Sequence, residues 1–262
     1  NQVRILQLEE TSTRYDPLAR PTVELKIDGP KHGLKIAVIP DAQVKPGVPI
    51  DHLRACGNYL TEIRPDVIVN IGDFADMPSL SSYNPAGSLE AESTRYRDDI
   101  TASKQAMAAF LKPIRAVKGW KPRLIGCYGN HEDRITRSVA LNPRQLQGIM
   151  ALDDLGYADD GWQMFPFLQP VVIGGVAFCH YFPSGVLGRP ITTARALLAS
   201  MHMSCVAGHL QGRDIAFAKR ADGKSMTAII AGSFYVHDED YLSPLANNHW
   251  RGAVVLHEVR DG

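Results

Sequence analysis

From residue 34 onward the chain alternates two patterns. Short, mostly apolar runs occur at 34–40 (LKIAVIP), 67–71, 123–128, 171–173, 176–179 and 205–207. Between several of them lie longer segments whose apolar residues recur every three or four positions. A mostly apolar run of this length predicts a strand buried on both faces, and the 3.6-residue period predicts an amphipathic helix. Residues 50–63 place Leu53, Cys56, Leu60 and Ile63 on one helical face before Pro65 stops the helix. Further helices are expected at 97–117, with Pro113 disturbing the last turns, at 143–155, opened by Pro143, and at 190–201. The order strand, helix, strand in the first half implies parallel strands joined by right-handed crossovers. After residue 171 the pieces 215–218, 226–230 and 252–259 read as hairpin strands with no helix between them, which makes the second half mostly antiparallel. Both halves fit one α/β domain over 34–262, a four-layer αββα sandwich of two mixed sheets flanked by helices.

Two stretches fall outside this rhythm. Residues 1–33 are punctuated by Pro17, Pro21, Gly29, Pro30 and Gly33 around one alternating piece, Thr22 to Ile27, and read as an N-terminal arm or linker with an edge strand. Residues 77–96 are rich in Ser, Pro, Gly, Asn and Tyr, and a loop of that length is expected to be functional or mobile.

Composition narrows the classes. The 262 residues are 45% hydrophobic and 21% charged, as in an ordinary soluble globular protein, with a formal net charge of zero. Such a balance exerts no global pull on a polyanion, and no basic stripe is apparent. Cys56, Cys127, Cys179 and Cys205 are scattered, without a CxxC pair, and are expected to be buried free thiols in a reducing compartment. No run reaches membrane-spanning length and no basic-then-apolar leader is present. A cytoplasmic location without membrane association is therefore expected; the chain begins at Asn1 rather than Met, so an upstream segment is a further expectation.

The candidate chemistry sits where the runs stop. Asp41, Asp73, Asn130, His180 and His209 each follow a strand-like run with no long polar insertion between. In an open α/β sheet the carboxyl ends of strands are where sites are built. Oxygen and imidazole donors without thiolate suit Mg, Mn, Fe or Zn rather than a cluster or a structural zinc. Any one of these residues alone would more often be a cap or a packed side chain; the ordered set points to a hydrolytic metal centre.

Taken in order, Asp41-Ala42-Gln43, Gly72-Asp73-Phe74-Ala75-Asp76, Gly129-Asn130-His131-Glu132, a lone His180 and Gly208-His209-Leu210-Gln211 resemble the motifs DxH, GDxxD, GNHE or GNHD, H and GHxH of the calcineurin-like metallophosphoesterases. The resemblance spans residues 34–259 and is closest to phage or prophage members, in which the first motif is also seen as DxQ; for a phage-encoded chain the compartment would be the cytoplasm of the bacterial host. It implies two divalent metal ions, with Mn2+ favoured over Mg2+, Ni2+, Fe2+ or Zn2+, and attack on phosphorus by a metal-bound hydroxide. Asp73 would bridge the two ions, Asn130, His180 and His209 would complete one site, and Asp41, Gln43 and Gln211 the other. His131, oriented by Asp76, would serve the leaving group. Those roles agree with elementary chemistry: two cations clamp the attacking and leaving oxygens of an in-line displacement, and an imidazolium paired to a carboxylate is a proton donor.

The departures from the motifs are Gln43 and Gln211, both His in the family pattern. A neutral amide oxygen is a harder and generally weaker donor than imidazole, so this site should favour Mn or Mg over Zn, or fill only with substrate. A degenerate, non-catalytic phosphate-binding module is the remaining alternative. Substrate contacts are expected from Asn130, Arg134 and His237, although Arg134 and Arg137 read equally well as solvated first-turn side chains of a short helix. Tyr83, Tyr235 and Trp250 are candidates for stacking on a base. The expected substrate is a phosphorylated small molecule, a nucleotide or a single-stranded nucleic-acid end, with phosphodiester cleavage favoured and phosphomonoesterase or protein phosphatase action as the alternative. No Walker loop and no GxSxG elbow is present, which disfavours a nucleotide switch and a serine hydrolase.

Overall fold

The computed structural model describes residues 21–82, 92–185, 188–238 and 249–262. Among the described residues eleven strands form two sheets. The first sheet runs β11(Val254–Val259), β2(Leu34–Ile39), β3(Val67–Asn70), β4(Arg123–Cys127), β5(Gln163–Phe165), with β2 to β5 parallel and β11 antiparallel at the edge. The second runs β1(Val23–Leu25), β6(Val171–Ile173), β7(Val176–Cys179), β8(Cys205–Ala207), β10(Ser225–Ala231), β9(Arg213–Lys219) and mixes both senses.

The mostly apolar runs have a simple cause: both faces of these strands are covered. From β2, Leu34, Ile36 and Val38 enter the core between the sheets, where they meet Val171, Ile173, Phe178 and Val206, while Ala37 and Ile39 face the opposite way. There they pack with Leu53, Cys56 and Leu60 of α1(Asp51–Ile63) and with Ala106, Phe110 and Ile114 of α2(Tyr96–Ala116). On the far side of the second sheet, Ala177, Cys179, Cys205 and Ala207 pack with Ala194, Leu197 and Leu198 of α5(Ala194–Met201). Helices, sheet, sheet, helix is the αββα sandwich. All four cysteines are buried and free. Among the described residues no helix is long and apolar enough to cross a membrane.

Several expectations are corrected. The helix at 143–155 does not form as one element: α4(Pro143–Leu146), just after α3(Asp133–Leu141), ends early and only a 3-10 turn, Leu152–Leu155, follows, because Gly148 takes φ +80 between them. The helix expected from residue 190 begins at Ala194, capped by the Thr193 side chain, since Pro190 is held in a bridge to Pro183. The second half is mixed rather than mostly antiparallel. Its strands β7, β8 and β10 are parallel neighbours, with α5 as a crossover between β7 and β8, and β11 leaves the hairpin to pair with β2 of the other sheet. Three-residue β5 was not expected at all. The alternating piece of the arm does form an edge strand, β1, parallel to β6.

Candidate metal centre

The ends of β2, β3, β4, β7 and β8 meet at one edge of the sandwich, so five separate turns deliver their polar residues to one place. The backbone is unusual there. Of the eleven non-glycine residues at positive φ among those described, five are sequence candidates: Asp41 at +21, Gln43 at +42, Asp73 at +52, His209 at +69 and Gln211 at +58. Side chains other than glycine seldom adopt this region, and its retention by packing is a mark of functional sites.

Glu132 holds the turns together. Its buried carboxylate accepts the backbone N–H groups of Asp73 (3.0 Å), Ala75 (3.0 Å) and Gly129 (2.8 Å), tying the turn after β3 to the turn after β4. Its motif position was visible in the sequence; its role as a clamp was not. The two turns approach so closely that a Cβ on Gly129 would stand 2.1 Å from Asp73 Oδ1 and 2.4 Å from the Asp73 nitrogen.

Around this clamp the donors converge. Asn130 Oδ1 lies 2.8 Å from His180 Nε2 and 2.8 Å from His209 Nδ1, and Asp73 Oδ2 lies 3.2 Å from the same His180 Nε2. One ligand atom from each of Asp73, His180 and His209 falls within 4.8 Å of the others. His180 Nδ1–H donates to the Ile71 carbonyl at 3.1 Å, which turns Nε2 toward the cluster. Behind it, Asp41 is fully buried, and neither carboxylate oxygen has a well-formed hydrogen bond, although the His209 amide approaches. A buried carboxylate without partners is costly unless a cation compensates it. Asp41 Oδ1 is 3.7 Å from His180 Nδ1, and a Cβ on Gly208 would be 3.3 Å from the same oxygen, so the turn after β8 closes over it.

Charge follows geometry. Burial pushes Asp41 up to about 8, opposed by His180 and reinforced by Asp73. Against its own burial, Asp73 is held well below the usual carboxylate range by His131 and His180. Burial would lower His180, but the charge and hydrogen bond of Asp73, then Asp41 and Glu132, raise it to about 9. Burial and the neighbouring His180 charge lower His209 to about 4, so it is neutral at pH 7. Protons on His180 and Asp41 thus stand where a divalent cation would otherwise balance the carboxylates. The donor set fits a hard or borderline cation.

The remaining candidates divide. His131 donates its backbone N–H to Asp73 Oδ1 (2.9 Å), its Nδ1 is 2.6 Å from Asp76 Oδ1, and its Nε2 is 3.7 Å from Asp73 Oδ2, so it belongs to the cluster. Asp73 and the Asp76 hydrogen bond raise its pKa despite burial. Arg134 is not a solvated side chain: one guanidinium nitrogen donates to the carbonyls of Asp76 (2.7 Å) and Met77 (3.2 Å), and the other lies 3.3 Å from His131 Nε2. Arg137 is exposed and donates to the Asn130 carbonyl (3.0 Å). Gln43 is buried with its backbone N–H on the Asp73 carbonyl (2.8 Å). The Gln211 amide oxygen accepts from the Tyr235 hydroxyl (3.0 Å), which also contacts His249 Nδ1 (3.1 Å). His237 stacks on Tyr235 at 4.7 Å. Tyr83 lies outside the described residues.

No family model matches the chain. Two phage proteins are similar in part. The Gene 54 protein of Mycobacterium phage D29 is 36% identical over 104 residues, and that of Mycobacterium phage L5 is 35% identical over 104 residues. Each match covers 38% of this chain and 36% of the relative, so the chain spans about a third of the length of the curated relatives it matches.

Proposed function

We propose that the protein is a metal-dependent phosphoesterase that favours phosphodiesters, working through two cation sites that share Asp73. The observation that carries this reading is the meeting of Asn130, Asp73, His180 and His209 beside the buried Asp41 carboxylate, which makes no well-formed hydrogen bond, with the His131–Asp76 pair adjoining Asp73. Asp73, Asn130, His180 and His209 would hold one ion; Asp41, Gln43 and Gln211, with Asp73, would hold the other. Bound divalent ions would supply Lewis acidity toward water and toward the phosphoryl oxygens, with Mn2+ favoured by the hard donors of the second site. Asp76 fixes the His131 ring through Nδ1, which leaves Nε2 to donate a proton to the departing oxygen. The Arg134 guanidinium adds positive charge where negative charge develops, and because it can only donate, its 3.3 Å contact with Nε2 must give way when Nε2 carries the proton. The Asn130 side chain lies between the two imidazoles and would contact substrate only from the ion-binding face. The similarity to two phage proteins supports a phage origin and, with it, action in a bacterial cytoplasm.

The Gln211 contact favours a second reading. Its amide oxygen is already engaged by Tyr235, and a protein that fills only the Asp73, Asn130, His180, His209 site would be a one-ion binding module. Hydrolysis of bis-p-nitrophenyl phosphate and p-nitrophenyl phosphate by metal-stripped protein, titrated with Mn2+, Mg2+, Ni2+ and Zn2+, separates the two. Mn2+-dependent diester turnover that disappears in Asp73→Asn supports the enzyme. Ion binding without turnover of either ester supports the module.

A further inference from the structure

Of the aromatic residues expected to stack on a base, Tyr235 and Trp250 already have their rings engaged. Tyr235 is 1% exposed and covered by His237, and Trp250 carries the Arg213 guanidinium over its ring at 5.1 Å. A different pair adjoins the donor cluster. Tyr181 directly follows His180, and its ring lies 4.8 Å from that of His209. Phe167, in the turn after β5, meets Tyr181 edge-on at 5.5 Å and His180 at 6.2 Å. Both rings are half-buried, while their neighbours Phe165 and Phe182 are buried in the core. The turn that carries Phe167 is closed by the Gln169 N–H on the Pro166 carbonyl (3.0 Å) and keeps buried Leu168 at φ +65. Beside them the half-exposed Arg137 is fixed by the Asn130 carbonyl and by Asp133 at 3.4 Å.

We propose that Tyr181, braced edge-on by Phe167, forms a stacking platform for the base of a nucleotide whose phosphoryl group lies at the donor cluster, with Arg137 at its rim. This rests on the phosphoesterase reading and names its substrate class. Every base offers a π face, so a braced ring beside a phosphoryl site selects nucleotides over simple alkyl phosphates without selecting sequence. One such ring and one exposed guanidinium, on a chain of zero net charge, suit one or two nucleotides rather than a long duplex, whose affinity comes from many phosphate contacts.

Thymidine 5′-(p-nitrophenyl phosphate) and methyl p-nitrophenyl phosphate share a leaving group and differ in the base. The wild-type protein should prefer the nucleoside ester in kcat/KM by about tenfold or more, mainly through KM. In Tyr181→Leu or Phe167→Leu that preference should fall about tenfold, and Tyr181→Trp should keep it. Equal kcat/KM for the two esters in the wild type, or variants that lower both esters alike, would overturn the platform. If the wild type cleaves neither ester, the phosphoesterase reading fails, and calorimetric binding of thymidine monophosphate to the Mn2+-loaded protein decides the platform separately. About tenfold weaker binding in Tyr181→Leu upholds it; absent binding, or equal binding, overturns it.

Discussion

Removing the Glu132 carboxylate tests the architecture of the centre without touching a proposed ion ligand. Its two oxygens accept three buried backbone N–H groups, from Asp73, Ala75 and Gly129, at 2.8 to 3.0 Å. In Glu132→Ala all three donors lose their partner, and each buried unsatisfied N–H costs about 1–3 kcal/mol before relaxation or water entry. Allowing for such relaxation, a loss of about 4 kcal/mol is expected. Glu132→Gln keeps one acceptor oxygen where Asp73 and Gly129 donate, but sets an NH2 group against the Ala75 N–H. The orphaned donor costs about 1–3 kcal/mol, and relief of a buried charge beside Asp73 offsets part of it, leaving about 2 kcal/mol. For a chain of this size about 2–4 °C of Tm accompanies each kcal/mol, so calorimetry should show a fall of about 4–8 °C for Gln and about twice that for Ala. Amide hydrogen exchange at Asp73, Ala75 and Gly129 should accelerate in the same order. Two variants that melt with the wild type, or three amides that keep their protection, would refute the clamp.

Other consequences concern protons, space and catalysis. His180, raised to about 9, and Asp41, raised to about 8, hold protons more firmly than free groups in the ion-free protein, and an ion must displace what they hold. Mn2+ binding at pH 7 should therefore release protons, read from calorimetry in buffers of different ionisation enthalpy, and affinity should fall as pH is lowered from 9 to 6. Gly129→Ala forces its Cβ into the Asp73 backbone and carboxylate, so a destabilisation of about 1–3 kcal/mol with weakened Mn2+ binding is expected from denaturant melts and titration. Asp76→Asn keeps a hydrogen-bonding group at 2.6 Å from His131 Nδ1 but removes the charge that favours the imidazolium, and kcat for a poor leaving group should fall about 10²-fold or more, with a smaller loss for p-nitrophenolate.

What the sequence made legible was set by the range of the physics involved. Strands such as β2 and β7 are covered on both faces, so their apolar runs announced themselves, and the residues ending those runs arrived together as expected: Asp73, Asn130, His131, His180 and His209 share one cluster. Strand partners were less accessible. Nothing local in Val254 to Val259 says that it crosses to β2 of the other sheet rather than extending the β9–β10 hairpin, and nothing in a three-residue run such as β5 distinguishes it from a loop. Gly148 could have warned against one helix over 143–155, since a glycine free to take positive φ breaks the period. The fate of polar side chains depended on contacts across long sequence separations. Arg134 turned inward because carbonyls of Asp76 and Met77 await it, and Gln211 reached Tyr235, relations that no spacing encodes.

The donors meeting at the strand ends are proposed to hold divalent ions. Anomalous scattering from crystals of the protein grown with Mn2+ tests this most directly. An anomalous peak coordinated by Asp73, Asn130, His180 and His209 is expected, and a second beside Asp41 that shares Asp73. Crystals diffracting well in saturating Mn2+ with no anomalous peak in contact with Asp73 would contradict it.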